Sequence, residues 1–341
     1  MELSKRRNIW FVIIIGFIIF AVFASQIGIQ RLLDLINEVN KPLLLLVVIF
    51  NLLNLLAFTI TWQLLTSANI SLYKLFKFYM AGTFINNITP TFGTGGEPIK
   101  AMLLGAQTGK SKAECFASVI SQRMVNMVPF LTVGIIGLVL MFGRPGITLN
   151  LWEITGLVFS IVAGFGIYFL LIYFYMYKDK LSSFVHSSIR FFAPFIGLMK
   201  KGFDHIAYSE AVEESINSFH GGLKDIRHNT KDLLKKALLF SYIGWMFDIL
   251  AIYTIFLAIP GSHIHVSVLI ITYTISMISG WLPLFLPGGL GIVDGTMAGL
   301  FIFGGVPVEI AILATMLYRL SSYWFNTILG AICLGIALKK K

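Results

Sequence analysis

Hydrophobic positions along this chain come in long blocks rather than short alternations. Apolar runs cover residues 9–27, 42–65, 113–142, 152–177, 237–259 and 308–338. Each holds about 20 residues or more, enough at 1.5 Å rise per residue to cross a hydrocarbon core about 30 Å thick. Two further apolar stretches, 71–105 and 266–303, are interrupted by Pro and Gly. They read as broken-helix pairs, either re-entrant or fully crossing. The one extended polar stretch is 178–236. Within it Val212, Ile216, Phe219, Leu223 and Ile226 recur at alternating four- and three-residue steps, an amphipathic helical stripe. The pattern predicts a linker helix lying on a membrane surface, with a partner-docking helix as the other reading.

These blocks define an all-α polytopic membrane protein with about six full spans plus two re-entrant or broken-helix pairs. Composition sharpens the class: 57% of the 341 residues are hydrophobic and 12% are charged, too apolar for a soluble domain to cover. The run at 9–27 follows Lys5, Arg6 and Arg7 without a convincing small-residue cleavage site, so it reads as a signal anchor. Cys115 and Cys333 both lie in apolar runs and read as small hydrophobic residues rather than a disulfide.

The net charge is +10, and its placement says more than its size. Let the N-terminus be cytoplasmic and let both broken stretches return to the side they entered. Lys5, Arg6 and Arg7, the five lysines between 74 and 112, the basic residues of 178–236 and Lys339, Lys340 and Lys341 then share the cytoplasmic face. Arg31, Lys41 and Arg144 fall outside, and Arg123 and Arg319 lie in the membrane. That bias orients the chain with both termini cytoplasmic. It also makes the halves inverted: the first broken stretch is entered from the cytoplasm, the second from outside through 260–265. The chain thus reads as a single membrane domain over 1–341, with repeat one at 42–177, the linker at 178–236 and repeat two at 237–338.

A motif marks each break. In TPTFGTGGEPIK and LPLFLPGGLGIVD, Pro90 matches Pro283, Phe92 matches Phe285, and Gly95-Gly96 matches Gly288-Gly289. An acid follows each glycine pair, Glu97 and Asp294, and an arginine sits in the next apolar run, Arg123 and Arg319. Paired Gly/Pro interruptions in two halves point to a transporter's central site. Pro98 suits the first turn of a restarting helix, and half-helix N-termini present free N–H groups that suit a phosphate.

Each ionisable group inside a span costs about 2.5–3.5 kcal/mol on insertion scales, so each should face inward and find a partner. Glu97 with Arg123 and Asp294 with Arg319 are the simplest pairs. They are either structural clamps or headgroup ligands, the latter because a guanidinium contacts phosphate bidentately. Lys100 would sit at a cavity mouth or snorkel to the surface. Asp248 is a candidate for proton or ion coupling, or a simply hydrogen-bonded carboxyl. Asn86, Asn87, Asn126 and Asn326 read as interhelical glue. No motif for a hydrolase elbow, a zinc protease or a P-loop is present, and His263-x-His265 without nearby acids or thiols is a weak metal signal. No cofactor, metal or nucleic acid is expected.

PTFGTGGEPIKAMLL, SQRMVN and LPGGLGIVDG resemble the flippase region of the lysylphosphatidylglycerol synthase, or multiple peptide resistance factor, membrane proteins, and their single-domain relatives. The resemblance covers nearly the whole chain but not the aminoacyltransferase domain of the two-domain members, so lipid synthesis is not implied. It implies a lipid flippase whose substrate-binding residues include Gly95, Gly96, Glu97, Arg123, Gly288, Gly289, Gly291 and Asp294. Lys100 and Arg319 join them on the reading of the residues. The family more usually has glutamate where this chain has Asp294. The expectation is a transporter moving a phosphate-bearing or aminoacylated headgroup through a midplane cavity. The alternative is an accessory protein or enzyme acting on lipid-linked substrates, as in a glycosyltransferase pathway. A membrane lipid is the expected partner, with a second copy or a lipid-modifying enzyme as further candidates.

Overall fold

The computed structural model describes residues 28–89, 94–143, 151–183, 231–280 and 286–339, with isolated positions in 14–25 and at 186, 187 and 217. Apart from those positions, the expected first span and the linker stripe lie outside the described residues, as do Pro90, Phe92, Pro283 and Phe285. Among the described residues every regular element is helical. Among them, counting Val308–Leu338 as one, five helices are long and apolar enough to cross a membrane. The chain is a multi-pass membrane protein.

A short helix, α1 (Ile29–Glu38), precedes the first described long helix. The sequence reading passed over it because charges interrupt its apolar positions. Leu32 and Leu35 are buried on one face while Arg31 pairs with Glu309 at 3.0 Å on the exposed one. The first half then runs α2 (Lys41–Leu65), α3 (Leu72–Ile88), α4 (Glu97–Thr108), α5 (Lys112–Phe142) and α6 (Leu151–Met176). The second half runs α7 (Lys231–Ala258), α8 (Val266–Ser279), α9 (Ile292–Phe303), α10 (Val308–Arg319) and α11 (Phe325–Leu338). Helix α7 starts before 237, because Lys231, Asp232, Lys235 and Lys236 continue the helix although they are too polar for a hydropathy reading.

Both broken stretches are helical hairpins. Asn86, near the end of α3, meets Glu97 at the start of α4, while Gly82 and Tyr79, one and two turns earlier, meet Lys100. Helix α4 therefore doubles back along α3. In the second hairpin Gly280 meets Val293 near the tip, and Gly304 meets Val268 near the base. The arms contain 17, 12, 14 and 12 residues. At 1.5 Å per residue they reach about 18–26 Å, short of a core about 30 Å thick.

The halves interlock. The most extensive contact joins α2 to α7, where Phe50 stacks on Phe247 and Asn54 donates to the Gly244 carbonyl at 2.9 Å. Helix α8 packs on α5 of the first half, and α3 packs on α11 of the second. Gly134 and Gly137 admit Thr274 and Ile270 at the first seam. At the second, a Cβ on residue 330 would stand 2.4 Å from the Met80 carbonyl oxygen. Small residues let membrane helices approach backbone to backbone, where dispersion contacts and interhelical hydrogen bonds drive packing.

Two long helices are irregular. Pro129 lies inside α5, and a π turn over Leu320–Trp324 joins α10 to α11, with the Phe325 amide donating to the Leu320 carbonyl. Each irregularity follows shortly after an arginine at the centre of the molecule, Arg123 or Arg319.

Candidate functional site

A cavity of about 360 Å³ lies between the halves and takes wall residues from both. Its volume is within the about 300–1,000 Å³ usual for ligand pockets. Two charge clusters meet it, one from each half.

The first is built on the start of α4. Gly96 caps the helix and Pro98 occupies its first turn, where the missing N–H breaks no hydrogen bond. This presents Glu97 to two cations. Arg123 Nη1 is 2.6 Å from Glu97 Oε1, and Lys100 Nζ is 3.1 Å from Oε2. Asn86 ties the tip together: its Nδ2 donates to Glu97 Oε1 at 3.3 Å, and its Oδ1 accepts from the Gly96 amide at 2.6 Å. Lys100 is not at a mouth or the surface. Its ammonium lies 4.3 Å from the centre of the Tyr79 ring, and its side chain is 5% exposed. A carboxylate and an aromatic face together compensate for the lost hydration. Arg123, at 29%, keeps an open face in the cavity.

The second cluster is closed. Arg319 Nε pairs with Asp294 Oδ1 at 2.9 Å, and the two side chains are 6% and 3% exposed. Asp294 Oδ2 accepts the Gly291 amide at 2.7 Å, a capping interaction at the start of α9. The Arg319 guanidinium stacks over Tyr323 at 4.4 Å. Both expected acid–arginine pairs thus form.

The half-helix N-termini are partly capped from within the chain. Asp294 takes the Gly291 amide at α9, while Asn86 takes the Gly96 amide and the Thr94 carbonyl the Glu97 amide at α4. The chain's own acceptors hold these three donors.

Of the candidate residues, Glu97, Lys100, Arg123, Gly288 and Arg319 line the cavity, as does Asp248. Gly95, Gly96, Gly289, Gly291 and Asp294 are not among its lining residues. Gly96 serves the hairpin instead: a Cβ there would stand 1.9 Å from the Gly82 carbonyl oxygen, an impossible approach between backbones. Gly288 has φ +56°, and a Cβ would fall 2.3 Å from the Tyr323 ring.

Asn86, Asn87, Asn126 and Asn326 do bridge helices, and all four also face the cavity. Asn51, Asn54 and Gln122 extend this carboxamide wall, with Trp245 and Tyr318 beside it. The sequence reading missed them. A signal existed, since Asn51 and Asn54 lie one turn apart inside an apolar run. Asp248 accepts hydrogen bonds from the hydroxyls of Tyr273 and, at 3.3 Å, Tyr318. Among the described residues no three His, Cys, Asp or Glu side chains gather to hold a metal. His265 instead caps α8, accepting the Ser267 amide at 3.3 Å.

The fold and site define a multi-pass helical membrane protein with a polar, charge-lined internal cavity. Residues 9–330 match the family described as lysylphosphatidylglycerol synthase TM region, and the chain belongs to that family. It is similar to a UPF0104 membrane protein of Methanothermobacter thermautotrophicus, 28% identical over 326 residues that cover 93% of this chain and 92% of the relative. A UPF0104 membrane protein of Pyrococcus horikoshii is 28% identical, with 95% of each chain covered. One from Methanocaldococcus jannaschii is 26% identical, covering 95% of this chain and 93% of its own.

Proposed function

We propose that this protein is a lipid transporter that carries a polar, phosphate-bearing headgroup across the bilayer while the acyl chains stay in the hydrocarbon. One observation carries the reading: a single cavity, walled by both halves, brings Lys100, Arg123 and Arg319 together with a wall of carboxamides. Cations suit the phosphate, and the carboxamides supply donors and acceptors to the polar groups beyond it. Transport needs access from both faces in turn, and two hairpins entering from opposite faces supply paired gates. We infer that the halves are inverted repeats with cytoplasmic termini, supported by the Lys/Arg bias and the doubling back of both hairpins.

The substrate ligands in this reading are Arg123, with its open face in the cavity, then Lys100 and Arg319. Glu97 and Asp294 hold them, and Gly288 shapes the wall. Gly95, Gly96, Gly289 and Gly291 contribute by forming the hairpin tips. Family membership supports a role in lipid handling, and the reading assigns this chain transport rather than chemistry.

The test is headgroup translocation by the pure protein in proteoliposomes, followed with phosphatidylglycerol bearing a reporter on its acyl chain and a membrane-impermeant headgroup reagent. Wild type should equilibrate the lipid between leaflets, and Arg123→Met should slow it at least tenfold with the fold intact. Turnover of a lipid-linked substrate without translocation would favour the enzyme reading.

A further inference from the structure

The cavity's ionisable side chains do not balance half by half. In the first half one carboxylate, Glu97, is shared by two cations, Lys100 and Arg123, so two positive side chains stand against one negative. In the second half Asp294 and Arg319 cancel one for one. Among the described residues the cavity wall carries one more acid, Asp248 on α7. It takes part in no ion pair there. Its partners are phenols, from Tyr273 on α8 and Tyr318 on α10.

Among the described residues the other elements facing the cavity add no lining acid beyond Glu97. From α2 come the neutral amides of Asn51 and Asn54; from α3, Tyr79; from α4, Glu97 and Lys100; from α5, Arg123 and Gln122. Arg319 closes α10, and Tyr323 lies in the π turn that follows. With Asp248 ionised, the six charged groups sum to zero. With Asp248 protonated, the site carries +1.

From this we propose that Asp248 is a proton-binding site coupled to the substrate: the cavity takes up one proton on the Asp248 carboxylate together with one singly charged phosphate group. The inference rests on the transporter reading and adds its coupling ion. The charges balance: the proton leaves water for a carboxylate oxygen, the anion brings in the negative charge that the carboxylate gives up, and the six groups with the ligand still sum to zero. Neutrality matters because an uncompensated charge in a low-dielectric cavity is expensive. Either the carboxylate or the phosphate brings the sum to zero. With both present the site would be negative, and with neither it would be positive. The phenols hold Asp248 ready for either state, donating to the carboxylate and keeping its hydroxyl hydrogen-bonded once protonated.

Linkage fixes the signature. An anion that binds the protonated form better must raise that form's population, so binding takes up a proton. Affinity is then constant at low pH, falls by up to about tenfold per pH unit above the titration of the empty site, and levels once the bound form also ionises.

The experiment uses full-length protein in detergent, with dihexanoyl phosphatidylglycerol as lipid probe and dimethyl phosphate as headgroup without a lipid. Both are phosphodiesters that stay singly charged across the range. Affinity is measured by calorimetry from pH 5 to 9 in buffers of differing ionisation heat, which reports protons taken up per ligand. Wild type should take up close to one proton on the sloping part of the profile. Asp248→Asn should bind with a flat profile and no proton uptake, and at pH 9 more tightly than wild type. Tyr318→Phe removes a donor to the ionised carboxylate, so the profile should turn downward at a higher pH. It also serves if the asparagine variant does not fold.

Wild-type lipid binding with no proton uptake at any pH, or an unchanged slope in Asp248→Asn, overturns the proton site and leaves the transporter reading standing. The same linkage with dimethyl phosphate but no lipid binding keeps the proton site and overturns the lipid reading. Failure of wild type to bind either probe overturns both.

Discussion

The two halves of this molecule use the same parts for different ends. Each places a long helix before a hairpin, then sends an arginine from the following long helix back to an acid at the hairpin tip. In the second half the result is a closed pair: Asp294 holds Arg319 at the cavity wall and caps α9 with its other oxygen. In the first half the acid holds two cations, and one of them, Arg123, stays partly exposed in the cavity. A shared motif therefore does not imply an identical role. What separates the two halves is the count of charges around each carboxylate and the exposure of the cations it holds.

The sharpest way to break this comparison is to ask whether the halves are inverted. In a background lacking Cys115 and Cys333, single cysteines at positions 209 and 262 should label with an impermeant reagent from opposite faces of intact cells. Labelling from one face would remove the inverted arrangement and, with it, the pairing of gates.

The arginines offer the next largest effect. Arg319→Met strands Asp294 in a buried site and should cost about 3–5 kcal/mol of stability, the range for removing one partner of a buried pair. Arg123→Met leaves Glu97 with Lys100 and should cost about 1.5–3 kcal/mol, the worth of one charged hydrogen bond. Thermal unfolding in a fixed detergent compares them. Equal losses would mean that both pairs are clamps.

A smaller effect probes the seam that joins the halves. Asn54→Leu removes the bond to the Gly244 carbonyl and should cost about 1 kcal/mol, as polar contacts between membrane helices generally do. A much larger loss would make the α2–α7 seam, rather than the clamps, the main tie between halves.

Much of this was open to a reader of the residues alone. The long helices follow from hydropathy because a bilayer leaves few alternatives to a helix of spanning length. The acid–arginine pairs follow because an unpaired charge in an apolar run is costly, so Glu97 and Asp294 had few places to go. The glycines were harder. Glycine marks both a left-handed turn on a cavity wall and tight backbone contact, and only the fold assigns Gly288 to the first and Gly96 to the second. The carboxamide wall escaped for a related reason: Asn54 and Gln122 satisfy neighbouring carbonyls while facing the cavity, and the sequence carries no sign of the second task. Helix α1 and the charged start of α7 were hidden by polar residues within helices.

The π turn was beyond reach, since it is marked by a backbone bond, from the Phe325 amide to the Leu320 carbonyl, that no residue type announces. It also sets the rotational phase of the last span. Before it, Tyr318 and Arg319 point into the cavity; after it, Thr327 bonds Asn87 at 2.8 Å and Gly330 fits against Met80. Deleting a single residue within 320–324 would turn α11 by about 100° relative to α10. Thr327 and Gly330 would swing away from α3 while Arg319 stayed in place. An indel tolerable at most helix ends would here uncouple the two ends of one helix, so the length of this turn, more than its residue types, is what the chain has to preserve.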